Sequence, residues 1–134
     1  MKIEQLISPL DNRYNDKIAD LATNFSESNL NKVRFEIEIE WLIFLCSKGG
    51  KNFPALSKPN IKNLLALKNS FDEKSAKKIK SIESKTNHDV KAVEYFIRDE
   101  LKKSSSLKRY EHLVHFALTS EDVNSLSYAI LMRD

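Results

Sequence analysis

Turn formers are scarce in this chain. Two glycines and three prolines occur in 134 residues. Sandwiches and barrels need frequent tight turns, so this scarcity argues against them and for helices. The two glycines sit together at 49 and 50, and neither glycine nor proline interrupts Glu27 to Ser47. A stretch of that length is long for a strand and ordinary for a helix.

One feature of that stretch points the other way. VRFEIEIEW, from Val33 to Trp41, alternates apolar and polar residues as a half-buried strand does. The alternation then dissolves into WLIFLC, while Val33, Ile37, Trp41 and Leu45 keep a spacing of four. A helix buried on more than one side fits both patterns, and helix is the favoured reading.

The rest of the chain divides in the same way. SPLDNRYND reads as irregular, and a short helix is expected over Asp16 to Thr23. Ser26 or Ser28 opens the long helix, which Gly49-Gly50 stops. NIKNLLALKNSF predicts a helix with Ile61, Leu64, Leu65 and Lys68 on one face, and Asp72 starts a lysine-rich one. Another helix follows TNHD, with Val90, Val93, Ile97 and Leu101 at spacings of three and four, until SSS at 104–106 breaks it. LKRYEHLVHFAL is expected to be helical, and SEDVNSLSYAILMRD to form the last helix. Its stripe of Val123, Leu126, Ile130 and Leu131 runs out without a terminating glycine or proline, which predicts the front part of something longer.

Composition bounds the function. At 41% hydrophobic residues the chain can bury a core, and its length suits a single all-α domain over 1–134. A net charge of +3 does not by itself imply a nucleic-acid or membrane partner. The single cysteine, Cys46, permits no intrachain disulfide, so a reducing, cytoplasmic setting is expected. No signal peptide is evident, and the apolar run Trp41 to Cys46 is too short to span a membrane.

Two polar tetrads precede apolar helix stripes. In TNHD, Thr86 and Asp89 have capping-box spacing; in TSED, so do Thr119 and Asp122. Plain capping explains either one. The other reading is that a helix N-terminus presents free amides and partial positive charge to phosphate or carboxylate, with Asn87, His88, Thr119 and Ser120 adding donors. His88 changes charge near neutral pH and is a candidate donor or acid. A third candidate is DNRY, where Arg13 offers a forked donor and Tyr14 a ring and hydroxyl, although on these residues alone a surface arginine beside a packed tyrosine is the favoured reading.

Other signals are weaker. His112 and His115 in HLVH have ligand-like spacing, but no carboxylate pair or second cysteine completes a zinc site, and a satisfied, partly buried His115 is favoured. Lysines 74, 77, 78, 80 and 85 are diluted by Glu73 and Glu83 and lack interleaved aromatic residues, which favours a solvated helix face over a nucleic-acid surface.

SPLDNRY, KTNHDVKAVEYF and HFALTSEDVNSLSYA, in this order, resemble the adenylosuccinate lyase family in its bacterial purine-biosynthesis form, a branch of the fumarase/aspartase superfamily. The resemblance runs from Ser8 to Leu131. It implies the N-terminal helical domain of an all-α homotetrameric lyase whose central helical-bundle and C-terminal domains are not in this chain. It implies β-elimination of fumarate from adenylosuccinate, giving AMP, and from succinylaminoimidazole carboxamide ribotide, with no metal or organic cofactor. Arg13, Tyr14, Asn87, His88 and Asp89 would contact the nucleotide, and Thr119 and Ser120 the succinyl or fumarate carboxylate. The family's principal acid histidine and its loop serine have no match here, so His88 is at most an auxiliary group and the chain alone is expected to be inactive. Asn12 stands where the family commonly has glycine. The alternatives are another fumarate-releasing lyase of the superfamily and a stand-alone helical nucleic-acid-binding module.

Overall fold

In a computed structural model, residues 8, 10 and 13–133 are described. Pro9, Asp11 and Asn12 of SPLDNRY lie outside that set. Every regular element among the described residues is helical. The α-helices are α1 (Ala19–Phe25), α2 (Glu27–Lys48), α3 (Lys58–Lys68), α4 (Glu73–Thr86), α5 (Asp89–Lys102) and α6 (Ser120–Arg133). Short 3-10 turns cover Asn15–Lys17, Gly50–Asn52 and Lys108–Leu113. The helix expected over Asp16 to Thr23 therefore lies slightly later, as a 3-10 turn followed by α1.

Local chemistry sets the boundaries. The Ser26 hydroxyl accepts from the Asn29 amide at 3.2 Å and opens α2. Ser57 does the same for Asn60 at 3.3 Å, with Pro59 in the first turn of α3. Asp72 accepts from the Ser75 amide at 2.8 Å and opens α4. Gly49 closes α2 with ordinary φ; a Cβ there would lie 2.5 Å from the Phe53 ring and closer still to the Leu45 carbonyl. Gly50 supplies the positive φ, 82°, that the following turn needs.

Helix α2 is the hub. It packs against α1, α3, α4, α5 and α6, and the strand-like alternation of VRFEIEIEW is wound into it. Phe35, Ile39, Leu42 and Cys46 face the main core, where they meet Leu64, Ile79, Val93, Phe96, Ile97 and Leu101. Phe35 lies 5.4 Å from the Phe71 ring and 5.6 Å from the Phe96 ring. Ile37, Trp41 and Phe44 turn the other way, toward Leu126 and Ile130 of α6, around an apolar groove of about 590 Å³. So α2 is apolar on two sides, as its mixed pattern requires.

Two expectations about faces are corrected. In α3 only Leu64 is buried, with Leu67 packed against the core beside it, while Leu65 lies off that face and is 36% exposed. In α6 the buried residues are Val123, Ser127 and Leu131, while Leu126 lies half exposed in the groove.

Helices α4 and α5 form an antiparallel hairpin, with Lys78 of α4 near Asp99 and Glu100 at the far end of α5. Helix α6 runs antiparallel to α2. Asn24, just before α2, donates to the Leu131 carbonyl at 2.7 Å; Arg34 donates to Asn124 at 3.0 Å; Trp41 donates to the Phe116 carbonyl at 2.8 Å.

Candidate functional site

Thr86 is the last residue of α4 and does not cap α5. The capping box expected at TNHD is therefore absent, because the tetrad joins two helices. Asn87 takes a left-handed conformation (φ 50°, ψ 33°), and its amide donates to the Glu83 carbonyl at 2.8 Å, ending α4. Asparagine tolerates that region better than most residues. His88 is the N-cap of α5, its Nδ1 accepting from the Lys91 amide at 3.2 Å. Asp89 accepts from the Val90 amide at 2.8 Å and meets Arg34 Nη2 at 2.7 Å. Four different polar residues in a row thus do four different things.

Arg34 is the residue the sequence reading missed. Its side chain is 4% exposed, and it donates to Asn124 of α6 and to Asn31 while pairing with Asp89 of α5. One buried guanidinium ties three helices together. Around it, Leu30, Asn87, His88, Asp89 and Tyr128 line a cleft of about 470 Å³. Asn87 and His88 are exposed at its edge and Asp89 is partly covered. Burial pushes the Asp89 carboxyl up, but the Val90 amide and the Arg34 guanidinium outweigh it and hold the group below the usual carboxylate range.

TSED is a true capping box. The Thr119 amide and hydroxyl both donate to Asp122 Oδ2, at 2.7 and 2.8 Å, and the Asp122 amide faces the Thr119 hydroxyl at 3.4 Å. The Thr119 contacts lower the Asp122 carboxyl below its usual value. Ser120 begins α6, one turn before Asn124, which holds Arg34. Thr119 and Ser120 do not line the cleft at Asn87 and His88; they sit further along the same α2–α6 seam.

Arg13 and Tyr14 are exposed, with the guanidinium 5.3 Å from the tyrosine ring centroid. Neither lines the cleft.

LKRYEHLVHFAL is not an α-helix. Lys108–Leu113 is a 3-10 turn, and beyond it His115 and Ala117 take left-handed φ, 64° and 62°. His112 and His115 therefore do not share a helix face. As expected, His115 is partly buried and satisfied: its Nδ1 lies 2.5 Å from Glu38 Oε1, and its amide donates to Glu38 Oε2 at 3.1 Å. That partner raises the His115 pKa above the ordinary histidine value, against the opposing effect of burial.

A line of charge runs between α2, α5 and the turn before α6. Arg34 meets Asp89, Lys91 and Arg98 both meet Glu94, and Glu38 meets His115. Buried charges in such numbers are costly unless paired, and here each has a partner of opposite sign. The lysine-rich face of α4 is different in kind: Lys77, Lys78 and Lys80 are held by Glu73, by Asp99 and Glu100, and by Glu27 and Glu83. No helix among the described residues is long and apolar enough to cross a membrane.

No protein-family model matches the chain. Curated proteins do. The adenylosuccinate lyase of Escherichia coli (strain K12) is 43% identical over 128 residues, and that of Legionella pneumophila (strain Corby) is 42% identical over 128. The adenylosuccinate lyase of Haemophilus influenzae is 42% identical over 127. Each match covers 94–95% of this chain and 28% of the relative. Over nearly its whole length, this chain is similar to adenylosuccinate lyase, and it spans about 28% of these relatives.

Proposed function

We propose that this chain is the N-terminal, nucleotide-contacting part of an adenylosuccinate lyase. The complete enzyme eliminates fumarate from adenylosuccinate, leaving AMP, and from succinylaminoimidazole carboxamide ribotide. It works as a homotetramer in which this part supplies binding groups. One observation carries the reading. Asn87, His88 and Asp89 stand at a cleft over a buried arginine, inside a stretch 43% identical to a named lyase.

The chemistry divides by residue. The elimination needs a base for the proton on carbon beside a carboxylate and an acid for the departing nitrogen. The principal acid and base come from outside this chain, which alone does not turn over. Asn87 and His88 present donors to the nucleotide, and Asp89 is fixed by Arg34 so that the junction keeps its shape. Thr119 and Ser120, at the amide-rich start of α6, face the succinyl carboxylates. Arg13 and Tyr14 contact the nucleotide from the N-terminal segment.

The test exchanges the matching stretch of the E. coli enzyme for this chain and measures fumarate release from adenylosuccinate. The chimera is expected to be active and the isolated chain inactive. His88→Ala in the chimera is expected to cut turnover roughly 100-fold or more. His88→Asn keeps a capping side chain and is expected to be just as slow, which separates capping from ligand contact. A folded tetrameric chimera without activity would sink the lyase reading. Near-normal turnover in folded His88→Ala would remove His88 from the site.

A further inference from the structure

The segment from Val114 to Thr119 is gripped from one side. His115 and Ala117 are both left-handed, a conformation that ordinary residues hold only when their surroundings impose it. The surroundings are supplied by α2. The Glu38 side chain, 0% exposed, accepts from the His115 amide with one oxygen and faces the His115 ring with the other. One turn on, the Trp41 indole donates to the Phe116 carbonyl at 2.8 Å. Two side chains a turn apart on α2 thus hold the backbone of two consecutive residues. Three residues further on, Thr119 opens the capping box of α6.

We propose that Glu38 is a positioning residue: by holding His115 through both its amide and its ring, it fixes how the chain enters α6, and so where Thr119 and Ser120 stand. The proposal rests on the reading of Thr119 and Ser120 as carboxylate-facing groups. A buried carboxylate is a poor choice for stability alone, since apolar packing serves as well. It is a good choice for direction, because its two oxygens demand two donors at fixed places.

The charge on His115 is part of the device. Glu38 of α2 and Glu94 of α5 favour the protonated ring, Lys91 of α5 opposes it, and Asp122 of α6 lies near enough to feel it. Protonated, the ring is a firm donor to Glu38; neutral, it binds that carboxylate less tightly. The turn should therefore loosen as the histidine loses its proton.

Nuclear magnetic resonance on this chain tests the proposal. The His115 ring and the amides of Phe116, Thr119 and Ser120 are followed through a pH titration, with the α4 amides as the internal control. In the wild type these amides are expected to move with the His115 midpoint. In Glu38→Gln that midpoint is expected to fall, since the partner that raises it is gone, and the same amides to shift while those of α4 stay in place. His115→Asn, which tolerates the left-handed backbone, is expected to shift them without a titration. Amides at 116–120 that ignore the His115 titration, or that keep their positions in folded Glu38→Gln, overturn the proposal. A fumarate titration judges the underlying reading separately. Run on the tetrameric chimera as inhibition by fumarate, it ends the carboxylate assignment if folded Thr119→Ala and Ser120→Ala chimeras are inhibited as strongly as the parent, whatever the pH series shows.

Discussion

Arg34 Nη2 and Asp89 Oδ2 meet at 2.7 Å, and the two partners are not equally buried: 4% of the arginine side chain is exposed against 46% of the aspartate. Removing the aspartate leaves a cation inside the protein; removing the arginine leaves an anion that water already reaches. Asp89→Asn is therefore expected to destabilise the chain by ~1–3 kcal/mol, and Arg34→Met by less. Chemical denaturation of the two variants checks this. The reverse order would mean that the Asn31 and Asn124 contacts, not the ion pair, set the value of Arg34.

The backbone at Asn87 gives a sharper test. Its φ of 50° is open to glycine and asparagine and costs a β-branched residue about 1–2 kcal/mol. Asn87→Gly is expected to melt close to the wild type, and Asn87→Val clearly below it. Equal melting temperatures for the two would show that the helix junction relaxes out of the left-handed region.

Stability should peak between two titrations. The Asp89 carboxyl is lowered in the folded protein. Its contribution is present above the unfolded aspartate value and is lost as pH falls through the folded one. The His115 value is raised above 6.5. Its contribution is full below that value and is lost as pH rises through the folded pKa. Denaturant midpoints measured across the pH range are expected to decline on both sides. In Glu38→Gln the alkaline decline should flatten while the acid one remains.

Thr119 separates capping from binding. Thr119→Ala removes the hydroxyl from the Asp122 box and is expected to cost about 1 kcal/mol. Thr119→Ser keeps the hydroxyl and should restore the melting temperature. A restored melt without restored fumarate response would assign the threonine methyl a role in the site.

What could be read from residues alone was whatever depends on neighbours in sequence. Ser26, Ser57 and Asp72 cap through amides three residues away, and the Val90, Val93, Ile97 and Leu101 face is buried throughout. In VRFEIEIEW, by contrast, Arg34, Glu36, Glu38 and Glu40 occupy equivalent places in the alternation. Winding them into a helix buries the first and third and leaves the other two near solvent. Asp89 at the start of α5 and His115 in the turn before α6, both distant in sequence, make that burial tolerable. The same distance hid the fate of LKRYEHLVHFAL, whose helix is interrupted where α2 captures His115 and Phe116. At TNHD the error was of another kind: a spacing typical of helix starts occurs where one helix stops and the next begins on a histidine cap.

Glu38 and the His115 amide are 77 positions apart. A ribosome adding about 5–20 residues per second needs roughly 4–15 s to cover that interval. Until then α2 carries a carboxylate on its inward face with nothing to answer it. Burying that face before residue 115 is made would leave the carboxylate unpaired, so the hub helix is expected to seat fully only once the segment before α6 has emerged.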